Sequence, residues 1–227
     1  MPDPFPLAPE LLAALRRYDT PTVANAIETF DVRPRDEGFM AMDIRCMFPE
    51  LGVMVGYAAT ATIRARGPGD GDASLLWAET RARPEPRVVV VQDLDDPPGH
   101  GSLWGEVNAT IFKALGCVGT VTDGCVRDLA EARGMGFHFF ARGAGVSHAY
   151  VRVDGVGLPV TVGGLVVRPG DLIHADQHGV LVVPLEVAAQ VPAAAEQVAL
   201  REQALLRWVR SPEFDPDQLA ARRAVRH

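Results

Sequence analysis

The chain has 227 residues and 29 acidic against 22 basic side chains, a formal charge of −7. That balance excludes a general binder of nucleic-acid backbone, yet leaves room for a small anion held by a single arginine. Apolar residues make up 48% of the chain and glycine and proline are plentiful, which excludes a disordered chain and suits one turn-rich globular domain spanning 1–227.

Taken in order, Pro9 and Glu10 open a helical pattern carried by Leu11, Leu12 and Leu15. Asp19-Thr20-Pro21 predicts a second helix start, with Thr20 as cap and Pro21 in the first helical position. Val23, Ala26, Ile27 and Phe30 follow at helical spacing. Residues 32–49 are irregular. Residues 52–66 alternate as a long strand, 67–72 form a loop and 73–83 a helix. Four consecutive valines within 87–94 predict a strand buried on both faces. After a loop at 95–101, Leu103, Val107, Ile111 and Leu115 recur every fourth residue as a helix over 103–115, with Gly116 past its end. A strand over 118–122, a short helix over 129–133 and a strand over 137–141 complete an alternation that predicts parallel strands. Beyond residue 145, short strands at 150–153, 158–162, 165–167, 172–175 and 180–183 are separated by Gly, Pro and Asp, the punctuation of a meander or barrel. A helical tail runs from about 186 to 210, and a second helix from about 215 to the C-terminus.

Cys46, Cys117 and Cys125 show no C-x-x-C spacing, which argues against a disulfide framework or a thiolate zinc site. The first six residues lack the pattern of a secretion leader, and no apolar run approaches the ~20 residues of a membrane span. A cytoplasmic protein without a membrane or nucleic-acid partner is expected.

The chemistry concentrates between Trp104 and Asp128. Gly124 relieves the backbone where a strand ends, so that Arg127 and Asp128 can project above the sheet. Asp128 could cap the helix that follows it. It could equally ligate Mg²⁺ or Mn²⁺, which take oxygen ligands, retain waters and need few protein carboxylates. Glu106 is a second carboxylate of that kind, or a solvated residue in the first turn of a helix. Arg127 has the fork geometry for a carboxylate or an enolate oxygen, and a surface ion pair is its ordinary alternative. Gly105, Val107 and Asn108 begin a helix whose first amides are free to bind an anion.

Gly105-Glu106-Val107, followed by Gly119-x-x-x-Asp123-Gly124-x-x-Arg127-Asp128, resembles the motif pair of the class II pyruvate aldolases. These are the 4-hydroxy-4-methyl-2-oxoglutarate and 4-carboxy-4-hydroxy-2-oxoadipate aldolases, which share a fold with the regulator of ribonuclease activity A. Residues 19–27, 139–143 and 162–180 extend the resemblance, so that it covers roughly 10–190, with a helical extension over about 186–227. It implies an α/β fold of the swivelling β/β/α type with a central barrel-like sheet, flanked by N- and C-terminal helices, in homotrimers or dimers of trimers.

The resemblance also implies roles. Arg127 binds the pyruvyl unit of a 2-oxo acid and stabilises its enolate, and Asp128 binds Mg²⁺ or Mn²⁺. Glu106 supports waters around that ion, and the amides of Gly105, Val107 and Asn108 hold the substrate carboxylate. The reaction would be retro-aldol cleavage of a 4-hydroxy-2-oxo acid, with oxaloacetate decarboxylation as a related activity. Chemistry agrees, because a cation and an arginine can carry enolate charge without a Schiff base. The single lysine, Lys113, lies on the helix between the two motifs. An acidic residue from a neighbouring subunit, Glu196 or Glu202, is also implied. The alternative is a non-catalytic regulator of a ribonuclease on the same fold. Two segments depart from the family pattern: Val107-Asn108 replaces paired leucines, and Ser147-His148-Ala149-Tyr150 has no clear counterpart.

Outside this stretch, His174-x-Asp176-x-His178 has an alternation that could place three polar groups on one strand face, although Gly179 and the family hairpin favour a structural role. His100 is expected in a solvated loop and Cys125 as a small residue in a tight turn. Asp70-x-Asp72 lacks the rest of a calcium loop. Trp77, Trp104 and Trp208 are expected in the core or at an interface.

Overall fold

The computed structural model describes residues 6–224. Residues 1–5, where no leader pattern was expected, and 225–227, the end of the last expected helix, lie outside the described residues. In chain order the elements are α1 (Pro9–Leu15), α2 (Thr20–Glu28), β1 (Arg45–Cys46), β2 (Met54–Arg64), α3 (Ala73–Arg81), β3 (Arg87–Asp93), α4 (Glu106–Ala114), β4 (Cys117–Thr122), β5 (Cys125–Val126), α5 (Leu129–Gly134), β6 (His138–Ala141), β7 (Gly143–Ala144), β8 (Arg152–Val156), β9 (Val160–Val162), β10 (Leu165–Val167), β11 (Leu172–Asp176), β12 (Gly179–Val183), α6 (Val191–Val209) and α7 (Leu219–Ala224).

The main sheet runs β1-β6-β4-β3-β2-β11-β12. Strands β6, β4, β3 and β2 are mutually parallel, joined by helical crossovers. Strand β2 is long enough to use one edge twice: β11 pairs with its first half and β8 with its second. The segment leading into β1 meets both outer strands. Phe39 bridges Leu181 of β12, Met40 N–H donates to Val180 O at 3.0 Å, and Arg45 pairs with Ala141 of β6. One stretch of chain therefore almost closes the sheet into a barrel, the α/β architecture expected, with helices at both ends.

The valine run explains the layering. Val88 and Val90 face the barrel interior with Met54, Ala58, Val121, Phe140 and Ile173. Val89 and Val91 face the opposite way, into a cluster with Trp104, Phe112, Phe137 and Phe139 beneath α4 and α5. Period-two alternation thus buries every valine, each contributing about 1.5 kcal/mol or more. A third cluster packs α1, α2 and α6 on β2, β11 and β12 through Leu15, Val23, Ile27, Tyr57, Leu181 and Val191.

Several boundaries differ from expectation, four of them for a clear local reason. Asp19, not Thr20, caps α2, its carboxylate accepting Thr22 N–H at 2.9 Å. Helix α4 begins at Glu106, not 103, because Gly105 is extended at φ −157°. Residues 186–190 form turns, so α6 starts at Val191. The strand expected at 150–153 starts at Arg152, because Ala149 holds a left-handed φ of +47°. Trp104 and Trp208 are buried, whereas Trp77 is exposed on α3.

Candidate active site at the start of α4 and the turn before α5

Two chain segments make the site. The first comes from β4, whose end is tied down before the chemistry begins. Asp123 Oδ1 accepts the Asp93 N–H at 2.7 Å, and Thr122 Oγ1 accepts the Gly124 N–H at 3.0 Å. A β-carbon at 124 would lie 3.2 Å from Asp93 Oδ2, so glycine allows this turn to sit against the end of β3. Strand β5 then pairs with β7, and Val126 bridges Trp104. The Arg127 N–H donates to Trp104 O at 3.0 Å. The second segment, residues 101–108, is thereby laid alongside the first.

Asp128 holds φ +53°, a left-handed conformation uncommon outside glycine but tolerated by aspartate. Its carboxylate does not cap α5, the helix it precedes. Instead Asp128 Oδ2 accepts the Glu106 N–H at 2.9 Å, capping α4 across the site. Gly105 makes this approach possible: a β-carbon there would collide with Asp128 Oδ2 and lie 3.2 Å from Arg127 Cγ and Nε. The expected capping role of Asp128 therefore exists, but it serves the other helix. One of the first-turn amides is consumed by it. The Val107 and Asn108 amides also lack intrahelical acceptors by position and stay available.

The charged groups around this junction are under-used. Among the described residues the Arg127 guanidinium has no hydrogen bond or ion pair, and neither do Asp128 Oδ1 and the exposed Glu106 carboxylate. The Val107 side chain is 70% exposed, and the Asn108 side-chain amide is occupied, donating to Leu103 O at 2.6 Å. Lys113 Nζ donates to Met135 O beyond the end of α5.

No grouping of three or more His, Cys, Asp or Glu among the described residues could hold a metal ion. An Mg²⁺-type ion needs no such cage, since one or two carboxylates with waters and substrate oxygens suffice. Asp128 Oδ1, without a partner among the described residues and one hydrogen bond from the Glu106 backbone, fits that pattern of oxygen donors, and does not fit the nitrogen and sulfur preference of zinc.

Several polar residues around the site carried no assigned role in the sequence. Asp93 Oδ2 accepts Gly99 N–H at 2.7 Å, and Asp95 Oδ2 accepts Ala65 and Arg66 N–H at 2.8 and 2.9 Å, which fixes the loop before α4. Burial, reinforced by the Asp93 charge, pushes the Asp123 carboxyl up to about 6. Ser102 is buried between the two segments. Only a loop at 95–101 was legible beforehand, because the partners of these groups are backbone atoms, some of them distant in sequence.

The polar candidates in the β11–β12 hairpin and before α3 are engaged within the fold. His174 is buried, with Nδ1 3.0 Å from Thr20 Oγ1 and Nε2 3.2 Å from Leu15 O. Asp176 accepts Thr20 N–H at 2.9 Å and His178 N–H at 2.8 Å. Asp72 caps α3 through the Ser74 N–H at 2.8 Å. His100 is exposed, and Cys125 is buried with its thiol pushed up by that burial. Glu196 is exposed on α6, while Glu202 lines a cleft with Asn25, Glu28, Arg35, Arg201 and Arg223. The Ser147–Tyr150 segment flanks the 101–108 segment: Ser147 O accepts Ser102 N–H at 3.0 Å.

Residues 20–182 match the family model described as "RraA-like: Aldolase/RraA". A protein of Halalkalibacterium halodurans named "Putative 4-hydroxy-4-methyl-2-oxoglutarate aldolase" is 37% identical over 134 residues, 58% of this chain and 60% of that protein. The matched stretch thus spans less than two thirds of that relative. An uncharacterized protein from Pseudomonas syringae superposes with a TM-score of 0.77 at 25% identity, covering 97% of this chain and 95% of that one. RraAS2 of Streptomyces coelicolor, described as an unusual member of the RNase ES inhibitor RraA family, superposes at 0.70 with 24% identity over 87% of this chain and 96% of that one, a likeness of fold. Among the described residues no helix is long and apolar enough to cross a membrane.

Proposed function

We propose, from the premise that the chain belongs to the RraA-like family, that it is a divalent-metal-dependent lyase cleaving a 4-hydroxy-2-oxo acid to pyruvate. The carrying observation is the junction itself: a guanidinium at Arg127 and a carboxylate oxygen of Asp128, both without a partner among the described residues, at the first turn of a helix. Unpaired ionic groups gain nothing for the fold, and their convergence suits a ligand carrying both an anionic group and oxygen donors.

Asp128 Oδ1, with Glu106 beside it, would hold Mg²⁺ or Mn²⁺. When bound, that ion supplies Lewis-acid stabilisation of charge on the 2-oxo oxygen. The Val107 and Asn108 amides bind the substrate carboxylate, aided by the positive end of α4. Arg127 forks onto the same pyruvyl unit and neutralises charge that grows as the enolate forms. Glu106 takes the proton of the 4-hydroxyl, directly or through a water, while the C3–C4 bond breaks and its electrons pass into the enolate. Protonation at C3 then gives pyruvate. The same enolate follows from loss of CO₂ from oxaloacetate, so decarboxylation would be a side activity. Subunits would assemble as trimers or pairs of trimers, in which Glu196 or Glu202 could approach a neighbour's site; light scattering measures that assembly.

The test is pyruvate release from 4-hydroxy-4-methyl-2-oxoglutarate and related acids with Mg²⁺ or Mn²⁺ added, and after EDTA. Release that needs the ion and disappears in Asp128→Ala supports the lyase. The likeness to RraAS2 favours one second reading, a regulator that binds a ribonuclease. Inhibition of ribonuclease cleavage that survives Asp128→Ala, without pyruvate release from any such acid, would establish that reading instead.

A further inference from the structure

The two segments of the site are joined by one buried hydroxyl. Ser102 is 1% exposed. Its Oγ lies 2.7 Å from Trp104 O and 2.8 Å from Cys125 O, and accepts the Trp104 N–H at 3.1 Å. A hydroxyl has one proton to donate and lone pairs to accept with, so it serves either carbonyl while holding the Trp104 amide. Each contact is a step from a functional group. Trp104 immediately precedes Gly105, Trp104 O is also the acceptor for Arg127 N–H, and Cys125 is two residues before Arg127. The Ser102 N–H meanwhile donates to Ser147 O at 3.0 Å, so the same residue ties the flanking 147–150 segment to the site.

We infer that Ser102 is a positioning residue: its hydroxyl sets the distance between the first-turn amides of α4 and the Arg127 guanidinium. The inference rests on the lyase reading for its catalytic consequence, but not for its geometry. The Asp128–Glu106 bond crosses the same junction from the outer side. Ser102 is a buried side-chain crosslink beside the backbone bond from Arg127 N–H to Trp104 O, shielded from water, where a lost hydrogen bond is not replaced by solvent. An amide cradle displaced by about 1 Å from its arginine can cost on the order of 10²-fold in rate.

The experiment compares Ser102→Ala with Thr120→Val, which removes another buried hydroxyl bonded to a backbone carbonyl (Thr120 Oγ1 to Val89 O, 2.8 Å) but within the sheet. Amide hydrogen exchange is followed at Trp104 and Arg127 against Val90 and Val121. Ser102→Ala is expected to speed exchange at Trp104 and Arg127 at least tenfold more than at the sheet amides, and Thr120→Val to show no such preference. Turnover should fall tenfold or more in kcat for Ser102→Ala with its pH profile unchanged, and recover in Ser102→Thr. If Ser102→Ala does not fold, Ser102→Cys, a weaker donor of similar shape, carries the same comparison. Uniform exchange across both variants would overturn the inference, as would full kcat beside selectively loosened amides. If wild type releases no pyruvate, the lyase reading fails, and the exchange pattern still decides the role of Ser102.

Discussion

Two polar constellations in this molecule look alike in sequence and differ in how they are satisfied. His174-x-Asp176-x-His178 sits in the β11–β12 hairpin, and its inner groups are spoken for: both His174 nitrogens and both Asp176 oxygens have protein partners. Arg127-Asp128 sits at a sheet end with a guanidinium and a carboxylate oxygen that bond to nothing among the described residues. The first is a lock that fastens α2 to the hairpin, and the second is a set of open valences. Residue type and spacing do not separate the two, whereas hydrogen-bond accounting does.

Substitutions should therefore act on different observables in the two regions. The largest effect belongs to Arg127→Ala, expected to cut kcat/KM for pyruvate release by about 10³-fold while stability stays within about 0.5 kcal/mol, read by steady-state kinetics beside thermal melting. Gly105→Ala should come next, at roughly 10²-fold, because its methyl would displace Asp128 from the α4 amide; a wild-type rate would break the account of that glycine. In the hairpin the signs invert. His174→Ala should cost about 2–3 kcal/mol, by leaving Thr20 Oγ1 and Leu15 O unpaired in a cavity, yet the folded fraction should turn over normally. Denaturant melts paired with kinetics at low temperature test this. A rate loss matching that of Arg127→Ala would erase the distinction between the two regions.

The smallest expected effects are in pH dependence, where a buried and a half-buried group oppose one another. His138 is buried, its Nδ1 has no partner among the described residues, and burial holds its pKa down to about 4. The unfolded chain takes up that proton first as pH falls, so stability is lost between about 6.5 and 4. His138→Phe should flatten this loss, retaining the stacking against Phe140. Asp123, pushed up to about 6, has the reverse sign: the folded state holds its proton more tightly, so the group costs stability at neutral pH and the cost is relieved as pH falls from 6 towards 3.8. Asp123→Asn keeps an oxygen to accept the Asp93 N–H and should raise neutral-pH stability by up to about 2 kcal/mol after discounting for its partial exposure. In melting curves from pH 4 to 8, His138→Phe should gain on wild type as pH falls and Asp123→Asn as pH rises.

Most of the architecture was legible because it rests on local patterns. The valine run gave a strand buried on both faces, and the strand–helix alternation gave parallel pairing. Closure of the barrel was not legible as pairing, since it depends on Phe39 and Arg45 in an irregular stretch reaching strands about a hundred residues or more away. At the site, Arg127, Asp128, Glu106 and Gly105 were identified by motif and are brought together by the fold. Hidden from the sequence was the exchange of caps. Asp19 and Thr20 share one helix start, where the first caps and the second anchors β11. Asp128 stands before one helix and caps another. Capping rules rank residue types for a position, and they do not say which helix a side chain will reach. Ser102 was hidden for the same reason, because its carbonyl partners carry no sequence signal.

In the proposed lyase, the unpartnered groups of Arg127 and Asp128 serve one ligand together with a divalent ion. Titration calorimetry with oxalate, a planar mimic of the pyruvate enolate, tests it most directly. The account predicts saturable binding in the presence of Mn²⁺, none after EDTA, loss of binding in Asp128→Ala, and weakening by roughly tenfold or more in Arg127→Ala. Oxalate binding of equal strength with and without Mn²⁺, or unchanged in both variants, would contradict it.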